Sequence, residues 1–142
     1  QCAPASRIED PALSEMDFGQ WQDQPVATVW NEVAGGPLHN WSFVTPDTQP
    51  PGGESFAATA ARVAAWMQDR ATHFSTTPQV VVCHGGVMRA VLALALNAPL
   101  SQVVGVPIAH FGLLRLTLMD LTRATHDGGP WLFTGLTDPE VC

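Results

Sequence analysis

Lysine is missing from this chain. All its basic residues are arginines, 6 of them against 13 Asp and Glu, for a formal net charge of -7 at pH 7. No run or stripe of positive charge exists, which argues against nucleic acid or an anionic membrane surface as the main partner. Cysteine is scarce, and Cys2, Cys83 and Cys142 stand at spacings that fit no zinc pattern. They read as free thiols in a reducing cytosol, and hence as a mark of a cytoplasmic protein. His39, His73, His110 and His126 likewise form no metal-ligand spacing. The longest strongly apolar stretch, residues 87–96, is too short to span a bilayer, and nothing in the opening residues reads as a signal peptide. Internal repeats and low-complexity tracts are lacking. So is an initiating methionine: the sequence opens on Gln1, and residues 1–11 contain prolines but no helical or strand period. The expectation is a portion of a larger protein.

What is present is material for a core. The 142 residues are 46% apolar, which suits one domain with a packed interior and not a disordered chain. Pro4 and Pro11 keep the opening out of a helix, and a short extended piece is expected at 7–9. A short helix is expected over 24–33, stopped by Gly35-Gly36-Pro37, with a further turn or two over 38–44. The strongest helix signal runs over 54–74, where Phe56, Ala60, Val63, Met67 and Ala71 recur at spacings of three and four. Residues 79–83 are short, β-branched and almost wholly apolar, the mark of a strand buried on both faces as in a parallel sheet. A second apolar helix is expected over 87–96, ending near Asn97 and Pro99. Residues 111–119 alternate, with Leu114, Leu116 and Leu118 on one side and Arg115 and Thr117 on the other; 131–135 can pair with them across a polar turn over 122–130. Helix, buried strand, helix and hairpin together predict an α/β layered domain.

Chemistry concentrates at a few positions. His84 follows the predicted buried strand and precedes Gly85 and Gly86, which open a helix. Open α/β sheets hold ligands at the carboxyl ends of their strands, and a helix start aims N–H groups at the same point. An imidazole there can donate to a phosphate oxygen or move a proton near neutral pH; the plainer reading is a turn cap. Glu15 lies between Leu13 and Phe18, where apolar neighbours can make a carboxyl a proton donor; the plainer reading is a solvated surface acid. Gly52-Gly53-Glu54-Ser55 begins the long helix, and Glu54 suits the positive end of its dipole, so helix initiation explains that motif. Trp30 and Trp41 are candidates for lining a pocket. Cys83 reads as a packed small side chain and Asp17 as a turn residue.

These marks come in a distinctive order. Leu13-Ser14-Glu15-Met16-Asp17-Phe18-Gly19-Gln20-Trp21 resembles the L-x-E-x-x-[FY]-G-x-W segment of the histidine phosphatase (phosphoglycerate-mutase-like) superfamily. Pro51-Gly52-Gly53-Glu54-Ser55 resembles that family's G-G-E-S helix start, and Val80 to Arg89 its second histidine motif. The tail resembles its closing hairpin. The glycine loop and the short tail look most like the α-ribazole phosphatase and broad-specificity phosphatase branch. The resemblance implies a three-layer α/β/α fold with a mostly parallel sheet, here as a single domain over 1–142 that lacks its N-terminal portion. It implies a phosphomonoester hydrolase that forms a phosphohistidine, acting on α-ribazole 5'-phosphate or another small phosphate ester. Glu15 matches the general acid and His84 the second histidine, which holds the phosphoryl group; the N–H groups of Gly85 and Gly86 would bind phosphate oxygens. Neither a metal nor another cofactor is implied. The oligomeric state stays open, a homodimer included.

The chain also departs from the family pattern. No Arg-His-Gly occurs, so the segment that carries the nucleophile is absent, as is the pocket arginine of an S-x-L-x-R segment. Arg89 matches a helix position and neither of those, and Gln22-Asp23 replaces a common Glu-Gly. In the family these parts precede the position of Gln1, together with a central strand and two helices. Two other readings follow: a truncated domain that binds a phosphorylated ligand or a partner without catalysis, and a phosphoglycerate-type mutase.

Overall fold

The computed structural model describes residues 7–32, 44–73, 75, 77–120 and 129–139. The expected stop at Gly35-Gly36-Pro37, nearly all of the turn over 38–44, Trp41, His39, His126, most of the hairpin turn, Cys2 and Cys142 lie outside the described residues. In chain order the elements are 3-10 turns at Pro11–Leu13 and Gly19–Trp21, helices α1 (Val26–Glu32), α2 (Phe56–Thr72), α3 (Gly85–Leu96) and α4 (Leu100–Val103), and strands β1 (Leu113–Leu118) and β2 (Trp131–Thr137).

The core lies between α2 and α3. Phe56, Ala60, Val63 and Met67 of α2 are buried, as the period of the sequence requires, and they face Val87, Ala90 and Val91 of α3. Ser55 starts α2, its hydroxyl accepting from the Ala58 N–H at 3.2 Å. On α3 nearly every residue is apolar and most are buried, so the helix has little outer face; Asn97, in the left-handed region at φ 50°, ends it. Met16 and Val44 close the core from the loops that precede α2.

β1 and β2 form an antiparallel hairpin with Leu113 opposite Thr137 and Leu118 opposite Trp131. A bulge after Arg115 shifts the register by one residue beside Gly135. Leu114, Leu116, Trp131 and Phe133 pack against the core, and Arg115 and Thr117 point away, in agreement with the alternation of the sequence.

The architecture corrects one expectation. Residues 79–83 form no strand: they run without a β-ladder, with Val80 at 89% and Val82 at 91% exposure. A strand exists only where a neighbour takes its backbone groups, and among the described residues none lies alongside. The only sheet among the described residues is therefore the antiparallel hairpin, not a mostly parallel sheet. None of the helices is long and apolar enough to cross a membrane, among the described residues.

Candidate active site

His84 occupies the N-cap of α3 in extended backbone (φ -116°, ψ 168°). Its imidazole makes no capping bond and stands exposed, so it is not spent on closing the turn. Just inside the helix, the Gly86 N–H donates to both carboxylate oxygens of Glu15, at 3.1 and 3.2 Å. The Met16 N–H donates to Oε1 of the same carboxylate at 2.9 Å. Two motifs 71 residues apart thus meet at the start of one helix, where free N–H groups and the helix dipole favour a negative charge. A Cβ on Gly86 would meet Glu15 Oε1, so any larger residue there would require the carboxylate to move off the helix start. The Gly86 donor, expected to serve a phosphate oxygen, is held by Glu15.

Charge and burial tie two more groups to this point. Burial, and then the Glu15 charge, push the Cys83 thiol above its ordinary range, against a smaller downward pull from the His84 N–H. Cys83 is half-buried against the core and is an inert packing residue, as its sequence position suggests. Arg89, 4% exposed, lies one turn into α3. Its guanidinium donates to the carbonyls of Gly85 (3.1 Å), Val104 (3.2 Å) and Val106 (3.0 Å). Burial lowers its pKa from the usual arginine value while the Glu15 charge raises it. Arg89 therefore fastens the first turn of α3 to the chain that leads from α4 to β1.

Glu15 is held from behind by a network that the sequence reading did not find. Arg62, on α2, donates to the carbonyls of Ala12 (2.8 Å) and Glu15 (3.1 Å). It forms a fork with Glu54, Nε to Oε2 at 3.2 Å and an NH2 group to Oε1 at 2.7 Å. Glu54 Oε1 also accepts from the Asp17 N–H at 3.0 Å, and the Glu54 N–H donates to the Asp17 carbonyl at 2.9 Å. Partial burial pushes the Glu54 carboxyl up, but the Arg62 hydrogen bond, the Asp17 N–H and the Arg62 charge outweigh it and hold the group below its ordinary pKa.

This network explains the glycine motif more fully than helix initiation does. The loops at 17–20 and 50–54 cross backbone to backbone, with the Gln20 N–H on the Pro51 carbonyl at 2.9 Å. A Cβ on Gly19 would strike Pro51, and one on Gly53 would strike the Asp17 carbonyl. Ser55 supplies the helix cap, and Glu54 serves the loop that carries Glu15. Asp17 is a turn residue as expected, its Oδ1 accepting from the Gly19 N–H at 2.8 Å. The only sequence hint for Arg62 is that it stands eight positions after Glu54, which lies just before Ser55, the N-cap of α2. Its reach to Ala12 and Glu15 had none.

Trp30 joins neither group; its indole nitrogen is buried without a hydrogen-bond partner among the described residues. A cavity of about 280 Å³ between α2 and α3 is lined by alanines and Leu94, Asn97 and Leu100, and by no residue of the Glu15–His84 junction. No three His, Cys, Asp or Glu side chains come together as metal ligands among the described residues.

Comparison with known proteins agrees with the geometry. The chain is 30% identical over 128 residues to "Probable phosphoglycerate mutase GpmB" of Proteus mirabilis (strain HI4320), covering 90% of this chain and 55% of that protein. It is 28% identical over 132 residues to the protein of the same name from Enterobacter sp. (strain 638), with 90% and 55% covered. The chain thus spans about half the length of the curated relatives it matches. Residues 3–135, nearly all of the sequence, match the profile of the histidine phosphatase superfamily (branch 1), and the chain belongs to that superfamily.

Proposed function

We propose that the protein carrying this chain is a phosphomonoester hydrolase that works through a phosphohistidine. The observation that carries the reading is the junction of Glu15 with the start of α3, one residue inside Gly85 and two from His84. In this reading the nucleophilic histidine comes from an Arg-His-Gly segment upstream of Gln1. Its ring nitrogen attacks phosphorus, the bond to the leaving oxygen breaks, and Glu15 gives that oxygen its proton. Water then attacks the phosphohistidine, passes a proton to Glu15, and the phosphorus–nitrogen bond breaks to release phosphate. His84 steadies the transferring phosphoryl group together with the Gly85 N–H. The Gly86 N–H takes a second task, holding the Glu15 carboxylate whenever it is ionised.

The same reading includes the finer fold: a single domain with a three-layer α/β/α arrangement and a mostly parallel sheet. The bare, β-branched segment at 79–83 supports it, because a strand supplied from upstream would take up the open backbone and the upstream helices packed on the sheet would cover Val80 and Val82. A small phosphate ester of the α-ribazole 5'-phosphate kind is the substrate class, and the free Cys83 thiol suits a cytoplasmic setting. The names of the curated relatives favour a second reading, a mutase, in which a second hydroxyl replaces water.

The test is an assay of the full-length protein on phosphomonoesters, with phosphate release and phosphoryl transfer to an added alcohol measured side by side. Release should dominate, and His84→Ala should lower kcat by roughly 10²-fold or more, as the loss of one transition-state donor does. Transfer without release would turn the assignment to the mutase. Full turnover by His84→Ala would overturn the role of His84 in either.

A further inference from the structure

We infer that Arg62, through its fork with Glu54, is a positioning residue for proton transfer by Glu15; the inference rests on the reading of Glu15 as the proton donor. The contacts enclose Glu15 on both sides. Arg62 holds the carbonyl of Ala12, ahead of Glu15, and the carbonyl of Glu15 itself, at 2.8 and 3.1 Å. Glu54 holds the N–H of Asp17, beyond it, at 3.0 Å. The backbone of Glu15 is therefore suspended from α2, whereas its carboxyl rests on α3 through Gly86. A proton donor must reach the leaving oxygen within hydrogen-bond distance, and a loop free to drift by about an ångström loses much of the rate. Two helices that pack against each other through the core fix that distance here.

The fork is built to hold. Arg62 and Glu54 keep only 25% and 22% of their side-chain surface exposed, so water and salt screen the pair less than a surface pair. Each donor group of Arg62 has a named acceptor: Nε and one NH2 group on Glu54, the NH1 group on Ala12, and the NH2 group also on Glu15. Lysine, a point charge with no planar fork, cannot reproduce this set. Arg62 itself makes no contact with the Glu15 carboxyl, so its effect on the reaction is indirect.

A role in positioning an acid has a signature that a purely structural role lacks. Proton donation matters for a basic leaving oxygen and little for an acidic one. The test therefore uses the full-length protein and two substrates of like shape, 4-nitrobenzyl phosphate with its alkoxide leaving group and 4-nitrophenyl phosphate with its weakly basic phenolate. Glu15→Gln sets the reference and should lower kcat/KM, which reports the step that expels the leaving oxygen and not the shared hydrolysis of the phosphohistidine, far more on the benzyl ester. Arg62→Met should follow it, with a loss at least about tenfold greater on the benzyl than on the phenyl ester. Arg62→Lys should fall between wild type and Arg62→Met, and Glu54→Gln should show the same bias. An equal loss on both esters, or no loss, in the Arg62 and Glu54 variants while Glu15→Gln keeps its bias would overturn the inference and leave the role of Glu15 standing. If Glu15→Gln shows no bias, the reading of Glu15 falls and the inference falls with it. Should Arg62→Met fail to fold, the isosteric Glu54→Gln and the charge-preserving Arg62→Lys decide by the same ratio.

Discussion

A single missing side chain decides how Glu15 sits. Gly86 brings its N–H within 3.1 and 3.2 Å of the Glu15 oxygens because nothing projects from its Cα. Gly86→Ala should therefore displace the carboxyl from the helix start without disturbing a packed side chain. In the full-length protein we predict a fall in kcat/KM of roughly tenfold or more on an alkyl phosphate, with a smaller effect on 4-nitrophenyl phosphate. Steady-state kinetics on both esters checks it, and an unchanged kcat/KM on the alkyl ester would contradict the seat described for Glu15. At this scale the sequence was informative where a residue acts through its neighbours in the chain. His84, Gly85 and Gly86 form a contiguous turn, and Glu15 sits in a recognisable segment. Arg62 was not legible, because its partners Ala12 and Glu15 lie 50 and 47 residues away and only the packing of α2 brings them within reach. The second role of Glu54 was not legible for the same reason: the helix dipole is a local argument, and the acceptor of the Asp17 N–H is a tertiary one.

Among the elements, the joint between α3 and the chain leading to the hairpin depends on Arg89. Its donors satisfy carbonyls of Gly85, Val104 and Val106 at a site only 4% exposed. Arg89→Met keeps the apolar stem and strips the donors, leaving buried acceptors without partners. We predict a loss of about 2–4 kcal/mol in unfolding free energy, read from the urea midpoint. A loss below about 0.5 kcal/mol, the range of ordinary surface substitutions, would contradict the latch. Helix α2 and the hairpin were legible in the sequence because their periods of 3.6 and 2 are set by their own residues, whereas α4, a single turn at Leu100–Val103, carries no such period. Phe56, Ala60, Val63 and Met67 line one side of α2, and Leu114, Leu116 and Leu118 one side of β1. The strand at 79–83 was the exception. Its composition is that of a buried strand, but pairing is a property of two segments, and no described segment lies beside it.

For the whole molecule, an acidic chain with no lysine carries a candidate site at the start of one helix and spans about half the length of its curated relatives. The proposed account assigns the remaining parts of the catalyst to an upstream segment. That segment would bring an Arg-His-Gly nucleophile to the Glu15–His84 junction and a strand to the bare edge at 79–83. Covering that edge also answers a physical problem, since exposed β-branched chain with open backbone groups invites aggregation. During turnover the phosphoryl group must rest on a histidine, and that histidine must be the upstream one and not His84. The most direct measurement is to mix the full-length protein with a phosphomonoester, quench in alkali within a single turnover, and locate the bound phosphoryl group by peptide mass spectrometry. The account predicts an alkali-stable, acid-labile phosphoryl group on the histidine of an upstream Arg-His-Gly segment, accumulating further when Glu15→Gln slows its hydrolysis. Turnover with no phosphohistidine at any time, or a phosphoryl group on His84 itself, would contradict it.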